Sequence, residues 1–232
     1  MSEKKYLEGK PGKYSKVIDN DGIKVETFFR EANHGMPPEI PAGAADDAGF
    51  ALAASTMAVS IPPLDHHTYE AEPGVICEQD VGVKMRDGTT IYCDIFRPEN
   101  AKNIPVIVSW GFYGKNAGQA NGEWQVMGVA PGTVSKYSKF ESADPMYWCK
   151  QGYAMANVDS RGTGNSEGDI SVFGSLDARD GYDFIEWIAQ EPWCSGKVGL
   201  YGNSGVAMAG WSIAAQCPPH LVCFAPWEGS TD

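Results

Sequence analysis

Basic charge, ligand-spaced histidine and paired cysteine are what this sequence lacks. Against 30 Asp and Glu there are only 18 Lys and Arg, a net charge of −12. A surface that tracks phosphates needs clustered Lys and Arg, so a nucleic-acid or anionic-membrane partner is excluded; the plain meaning of the acidity is solubility. No apolar run is long enough to span a bilayer. The lysine-rich start, Lys4 to Lys16, leads into no apolar segment of the kind a secretory leader carries. The six cysteines (Cys77, Cys93, Cys149, Cys194, Cys217, Cys223) never fall in a C-x-x-C pattern. They read as buried thiols rather than a zinc site or a disulfide framework, with one bridge between Cys217 and Cys223 left open. A reduced, cytoplasmic location is expected. The adjacent pair His66-His67 does not have the i, i+4 spacing that puts two ligands on one helix face. The glycines at 162, 164 and 168 do not fit G-x-G-x-x-G, and no Lys-Ser/Thr follows them for a P-loop. No metal and no organic cofactor is expected. There is no internal repeat and no low-complexity tract.

What is present is an alternation of strand and helix patterns from Gly74 onward. Val81, Val83 and Met85 alternate with polar residues, Arg86-Asp87-Gly88 makes a turn, and Ile91, Cys93 and Ile95 alternate in return. This predicts a β-hairpin. The continuous apolar runs 105–110, 153–158, 198–201 and 221–225 predict strands buried on both faces. Between them, a short helix closing at Gln151, a helix over 176–190 and a helix over 206–215 are expected. Such an order argues for an α/β fold with a mostly parallel sheet covered by helices and an antiparallel hairpin at one edge. Residues 1–73 carry Pro37-Pro38, Pro41 and Pro62-Pro63 and little periodicity. They are expected to form a partly irregular arm, with one alanine-rich helix over 42–58, in front of a domain over 74–232.

The stretch Val198-Gly199-Leu200-Tyr201-Gly202-Asn203-Ser204-Gly205-Val206-Ala207 carries the chemistry. A short buried strand runs into a tight turn bearing a serine, and a small-residue helix follows. That is the layout of a nucleophile elbow, in which the turn lifts the hydroxyl clear of the backbone and the next N–H faces a substrate oxyanion. The usual G-x-S-x-G is met at Gly202 and Ser204 but not at Val206. The alternative is a serine that merely caps the helix.

Several segments together resemble the cocaine-esterase and Xaa-Pro dipeptidyl-peptidase branch of the α/β-hydrolases. They are Met85-Arg86-Asp87-Gly88 with Arg97-Pro98, the strand 105–108 leading to Tyr113-Gly114-Lys115, the run Asp159 to Gly168, Trp187 with Pro192-Trp193, and the elbow. The resemblance covers roughly 75–232. It implies that Ser204 is the acyl-accepting nucleophile, that Tyr113 donates its O–H to the oxyanion hole, and that the Gly205 N–H is the second donor. The family's elbow commonly reads G-x-S-Y-x-G; here Gly205 stands for the tyrosine and Ala207 for the last glycine. The residue before the loop tyrosine is often proline in the family and is Phe112 here. Asp159 and Arg161 are expected to fix a loop. Trp110, Trp124, Tyr137, Tyr147 and Trp148 are candidates for an acyl pocket, though core packing accounts for most of them.

A serine needs a general base, and in this fold the order is Ser, Asp or Glu, then His. After Ser204 the one histidine is His220, placed by the pattern at the entry of the last strand, away from the elbow. The family's later triad residues, its helical cap and its closing β-sandwich are absent from these residues. Three readings follow: the amino-terminal portion of a serine hydrolase acting on a small-molecule ester or short peptide; a non-catalytic relative serving binding or assembly; or a base supplied by His66 or His67, from this chain or another copy. An uncovered sheet edge at 221–225 also makes a homo-oligomer a candidate.

Overall fold

The computed structural model describes residues 15–20, 23–28, 61–115 and 132–230. The chain separates into two compact units, 1–45 and 46–232. In the first, β1 (Ser15–Asn20) and β2 (Ile23–Phe28) pair antiparallel. The alanine-rich helix expected over 42–58 lies outside the described residues, as does Trp124.

The second unit is built on a seven-stranded sheet. Its strands are β3 (His67–Glu72), β4 (Val75–Lys84), β5 (Thr90–Pro98), β6 (Ile104–Gly111), β7 (Ala154–Asp159), β8 (Cys194–Asn203) and β9 (Leu221–Trp227). The spatial order is β3-β4-β5-β7-β6-β8-β9. The expectation of a mostly parallel sheet is corrected here: the sheet is mixed. β3-β4, β4-β5 and β5-β7 pair antiparallel, while β7-β6, β6-β8 and β8-β9 pair parallel. For β3-β4 and β4-β5 the physical reason is connection length. Short turns join β3 to β4 and β4 to β5, and tight turns can join only antiparallel neighbours; parallel neighbours need long crossovers, here carrying helices. The hairpin was legible, but His67–Glu72 (HTYEAE) is a polar, largely exposed edge strand with no apolar alternation to announce it.

Three helices are described: α1 (Pro145–Lys150), α2 (Ser175–Ile188) and α3 (Ser204–Ala214). α1 starts where the sequence has Asp-Pro. The Asp144 carboxylate caps it by accepting the Met146 N–H at 2.9 Å, and Pro145 sits where no N–H is needed. The larger core lies between the sheet and α2 and α3, with Val106, Val108, Ala156, Val158, Phe184, Ile185, Ile188, Val198, Leu200 and Ile213 fully or almost fully buried. Val75, Cys77, Phe96, Tyr137, Met146 and Cys149 form a second cluster. Ile95 and Phe96, consecutive on β5, belong one to each, as side chains alternating across a pleated strand must. All six β7 residues are buried.

Burial corrects one reading of the cysteines. All six are free, but only Cys77, Cys93 and Cys149 are buried, and Cys217 and Cys223 are exposed. Of the pocket candidates, Trp110 and Tyr137 are core residues and Tyr147 is exposed. Trp110 donates its indole N–H to Asp177 at 2.7 Å. Asp177, in the first turn of α2, is thereby a buried partner of the core.

Candidate active site

β8 ends at Asn203, and the chain turns into α3 through Ser204. Ser204 has φ +48°, in the left-handed region that a non-glycine residue adopts at a cost of about 1–3 kcal/mol. A Cβ on residue 202 would stand 2.6 Å from the Val206 carbonyl carbon, so only glycine lets the strand and helix meet this closely. The helix cap is Asn203, not Ser204, and its side chain makes no capping hydrogen bond. The serine hydroxyl is thus not consumed as a cap, and the first N–H groups of α3 are left for other acceptors.

The loop after β6 brings Tyr113 to the same place. The Tyr113 hydroxyl lies 2.9 Å from where a Cβ on residue 205 would be, and the Phe112 ring lies 2.7 Å from that point. Phe112 and Gly205, two of the three departures from the resembled pattern, are therefore one spatial adjustment: the phenylalanine ring occupies the space a side chain at 205 would need. Phe112 packs on Tyr113 at 4.2 Å between ring centroids and edge-on to Phe173 at 5.5 Å, while Tyr113 meets Phe140 edge-on at 5.1 Å.

A buried ionic cluster fixes this loop from below. Lys115 is 1 % exposed and its Nζ reaches Asp80 Oδ1 at 2.6 Å and Asp94 Oδ1 at 2.9 Å. Asp80 sits at an irregularity in the β4-β5 pairing with φ +52°, and its N–H donates to Asp94 at 2.9 Å. The Lys115 N–H donates to the Asp159 carboxylate at the end of β7. Burial raises the Asp94 carboxyl above its ordinary range, although Lys115 opposes the shift. Lys139, fully buried, donates to the carbonyl oxygen of Val158 at 3.0 Å and to that of Ser109 at 3.4 Å; desolvation lowers its pKa to about 8 while Asp159 resists.

Asp159 and Arg161 hold loops, as expected. The Asp159 carboxylate accepts the Asn165 N–H at 3.3 Å. Arg161 spans Asp180 on α2 at 2.7 and 2.8 Å, Asp87 at 2.8 Å and Thr89 at 2.6 Å, tying the hairpin turn to the helix.

Sequence reasoning missed Glu141. Its backbone has φ +57° and its carbonyl accepts the Asn203 N–H at 3.0 Å. Its carboxylate accepts from the Val206 N–H at 3.5 Å, and the Tyr113 hydroxyl, the Ser204 hydroxyl and the Gly205 N–H lie near enough to favour its charged form. Burial raises the Glu141 carboxyl and these donors pull it back. Tyr113 is raised to about 12 by burial and by the adjacent Glu141 charge. Nothing local in Lys139-Phe140-Glu141-Ser142 announces this role; it depends on a loop meeting the elbow from 60-odd residues away.

The described histidines stay away from Ser204. His66 and His67 precede or begin β3, the sheet edge opposite β8 and β9, where each ring nitrogen meets a backbone carbonyl, of Gln79 at 3.0 Å and of Asp65 at 2.7 Å. The His220 carbonyl accepts the Val198 N–H at 2.9 Å, and its ring pairs with Glu186 at 2.8 Å. Val198 is roughly five residues, about 16 Å of extended chain, from the elbow. Among the described residues no group of three or more His, Cys, Asp and Glu has the geometry to hold a metal ion.

The sequence profile of the X-Pro dipeptidyl-peptidase (S15 family) matches residues 87–232. The chain belongs to the S15 family. Its relatives in that family and around it are much longer. Cocaine esterase from Rhodococcus sp. (strain MB1 Bresler) is 29 % identical over 153 residues, which span 66 % of this chain and 24 % of the relative. The crystal structure of a CocE/NonD family hydrolase from Staphylococcus aureus superposes with a TM-score of 0.65 at 32 % identity, over 76 % of this chain and 33 % of that one. An α-amino acid ester hydrolase shares the fold at 23 % identity, with a TM-score of 0.54 over 76 % of this chain and 29 % of its own. This S15 chain thus spans about a quarter of the length of the curated relatives it matches.

Proposed function

We propose that this chain is the nucleophile-bearing portion of a serine hydrolase that transfers an acyl group from a small-molecule ester or a short Xaa-Pro peptide to water. Ser204 Oγ attacks the acyl carbon, the bond to the alcohol or amine breaks, and water then releases the acid from the acyl-enzyme. The Tyr113 O–H and the Gly205 N–H hold the oxyanion; removing one such donor typically costs about 3–4 kcal/mol of barrier. The observation that carries this reading is the convergence of a strained Ser204, the Gly205 N–H and the Tyr113 hydroxyl at the carboxyl ends of β6 and β8, the end of an open α/β sheet where ligands bind. The general base comes from outside the described residues. No step in this scheme calls for a metal or an organic cofactor. No described helix is long and apolar enough to cross a membrane. β9 offers an exposed sheet edge along which a second copy would pair.

The test is labelling with a fluorophosphonate probe. Labelling that disappears in Ser204→Ala supports the enzyme reading. Hydrolysis of p-nitrophenyl esters against that of proline p-nitroanilides separates esterase from peptidase. The placement of His66, His67 and His220 away from Ser204 favours a second reading, a non-catalytic binding or assembly protein. That reading predicts no labelling, including when the chain is mixed with the remaining portion of a longer relative.

A further inference from the structure

The donors at the elbow already have an acceptor. The Val206 N–H donates to the Glu141 carboxylate at 3.5 Å, and the Gly205 N–H, the Tyr113 hydroxyl and the Ser204 hydroxyl face the same carboxylate closely enough to favour its charge. α3 has no acidic residue in its first turn and no side-chain cap. Glu141 is therefore the anion that lies at its amino-terminal N–H groups. A carboxylate and a tetrahedral oxyanion need the same donors and carry the same sign of charge. One pair of donors cannot serve both at once.

The way Glu141 is held bears on whether it can leave. Its carbonyl is anchored to the Asn203 N–H at 3.0 Å, and the loop around it is fixed by contacts that do not involve the carboxylate. Ser135 donates to Asp144 at 2.6 and 2.7 Å, Lys139 is buried against β6 and β7, and the Phe140 ring packs on Tyr113. The carboxylate hangs from this anchor on a side chain with free torsions and is only partly buried. It can swing out without moving the loop or the elbow.

We infer that the Glu141 carboxylate is a displaceable internal occupant of the oxyanion site, and that an acyl carbonyl or a carboxylate ligand binds there only by displacing it. The inference rests on the proposed roles of Ser204, Tyr113 and Gly205. It assigns to that site a ligand class, carboxylate anions such as the acid product of ester hydrolysis, held in competition with the chain's own side chain. An occupant that fills a site about nine-tenths of the time weakens a competitor about tenfold.

The experiment measures binding of 4-fluorobenzoate by fluorine NMR to the chain and to its Glu141→Ala, Glu141→Gln and Glu141→Ala/Tyr113→Phe variants. Glu141→Ala is expected to bind about tenfold tighter than the unsubstituted chain or better, and Glu141→Gln, which keeps the shape without the charge, to fall between them. Adding Tyr113→Phe should take back part of the gain. If Glu141 is only a structural cap for α3, Glu141→Ala will lower thermal stability without tightening benzoate, and the inference falls. Equal binding in all four proteins also overturns it. Should Glu141→Ala fail to fold, the Glu141→Gln comparison carries the same decision. Failure of the hydrolase reading looks different: a Ser204→Ala/Glu141→Ala variant still binds benzoate more tightly, while no variant that retains Ser204 reacts with the fluorophosphonate.

Discussion

At the scale of single residues, two buried ionisable groups make the sharpest predictions. Lys115 sits between Asp80 and Asp94 with almost no exposure. Replacing it by Met leaves two carboxylates buried without their cation, a change that costs about 3–5 kcal/mol. Lys115→Met should therefore melt well below the unsubstituted chain, and any folded fraction should label more slowly at Ser204, because the loop bearing Tyr113 loses its anchor. Asp177 is raised to about 6, by burial first, with Asp180 adding to the shift and the Trp110 N–H opposing it. Its folded-state pKa lies above its unfolded value, so its contribution to stability is fully present below about pH 4 and is lost as pH rises through 6. The span is on the order of 3 kcal/mol at most. Urea unfolding from pH 4 to 7 should show this decline. Asp177→Asn, which keeps an acceptor for the Trp110 N–H, should flatten it, and an unchanged slope would rule the assignment out. Ser204, Gly205 and Tyr113 could be picked from the sequence because each stands in or beside a motif. Glu141 could not, since a carboxylate in an unremarkable loop has no local mark.

Among the elements, the elbow and the loop after β6 act as one unit. An alanine at 205 would bring its Cβ to 2.7 Å from the Phe112 ring and 2.9 Å from the Tyr113 hydroxyl. Overpacking of this kind costs about 1–3 kcal/mol. Phe112 cannot simply yield, because Tyr113 and Phe173 hold its ring. Gly205→Ala is thus expected to lose both stability and probe labelling, and Phe112→Ala to recover part of the stability. A double-mutant cycle with a coupling near zero would show the two positions to be independent. Arg161 joins elements in a similar way. Its removal should increase hydrogen exchange in the turn at 86–89 and in the second turn of α2, around Asp180, together. Strands and helices were legible where the apolar pattern was continuous or alternating. β3 was not, because an exposed edge strand is under no pressure to alternate.

Over the whole molecule, the sheet passes from an antiparallel half, β3-β4-β5, to a parallel half, β7-β6-β8-β9, with the elbow in the parallel half. β9 closes one edge with Val222 59 % and Trp227 57 % exposed. An exposed edge strand with apolar side chains templates further strand pairing. The chain is expected to self-associate with rising concentration, and a charge placed there, Val222→Lys, to reduce it. Sedimentation velocity across a concentration series decides this, and concentration-independent monomers would contradict it.

Local pattern determined the class of fold, the hairpin, the buried strands β6, β7 and β8, and the serine between two glycines, because these follow from side-chain periodicity and from what a tight turn tolerates; it failed for 221–225, expected to be buried on both faces, because β9 lies at the sheet edge and none of its residues is buried. Only the tertiary structure decided that half the sheet is antiparallel, that Phe112 and Gly205 share one space, and that Glu141 lies against the helix start. Each of these depends on which distant segments come within a few ångströms of one another, and no periodicity along the chain encodes that distance.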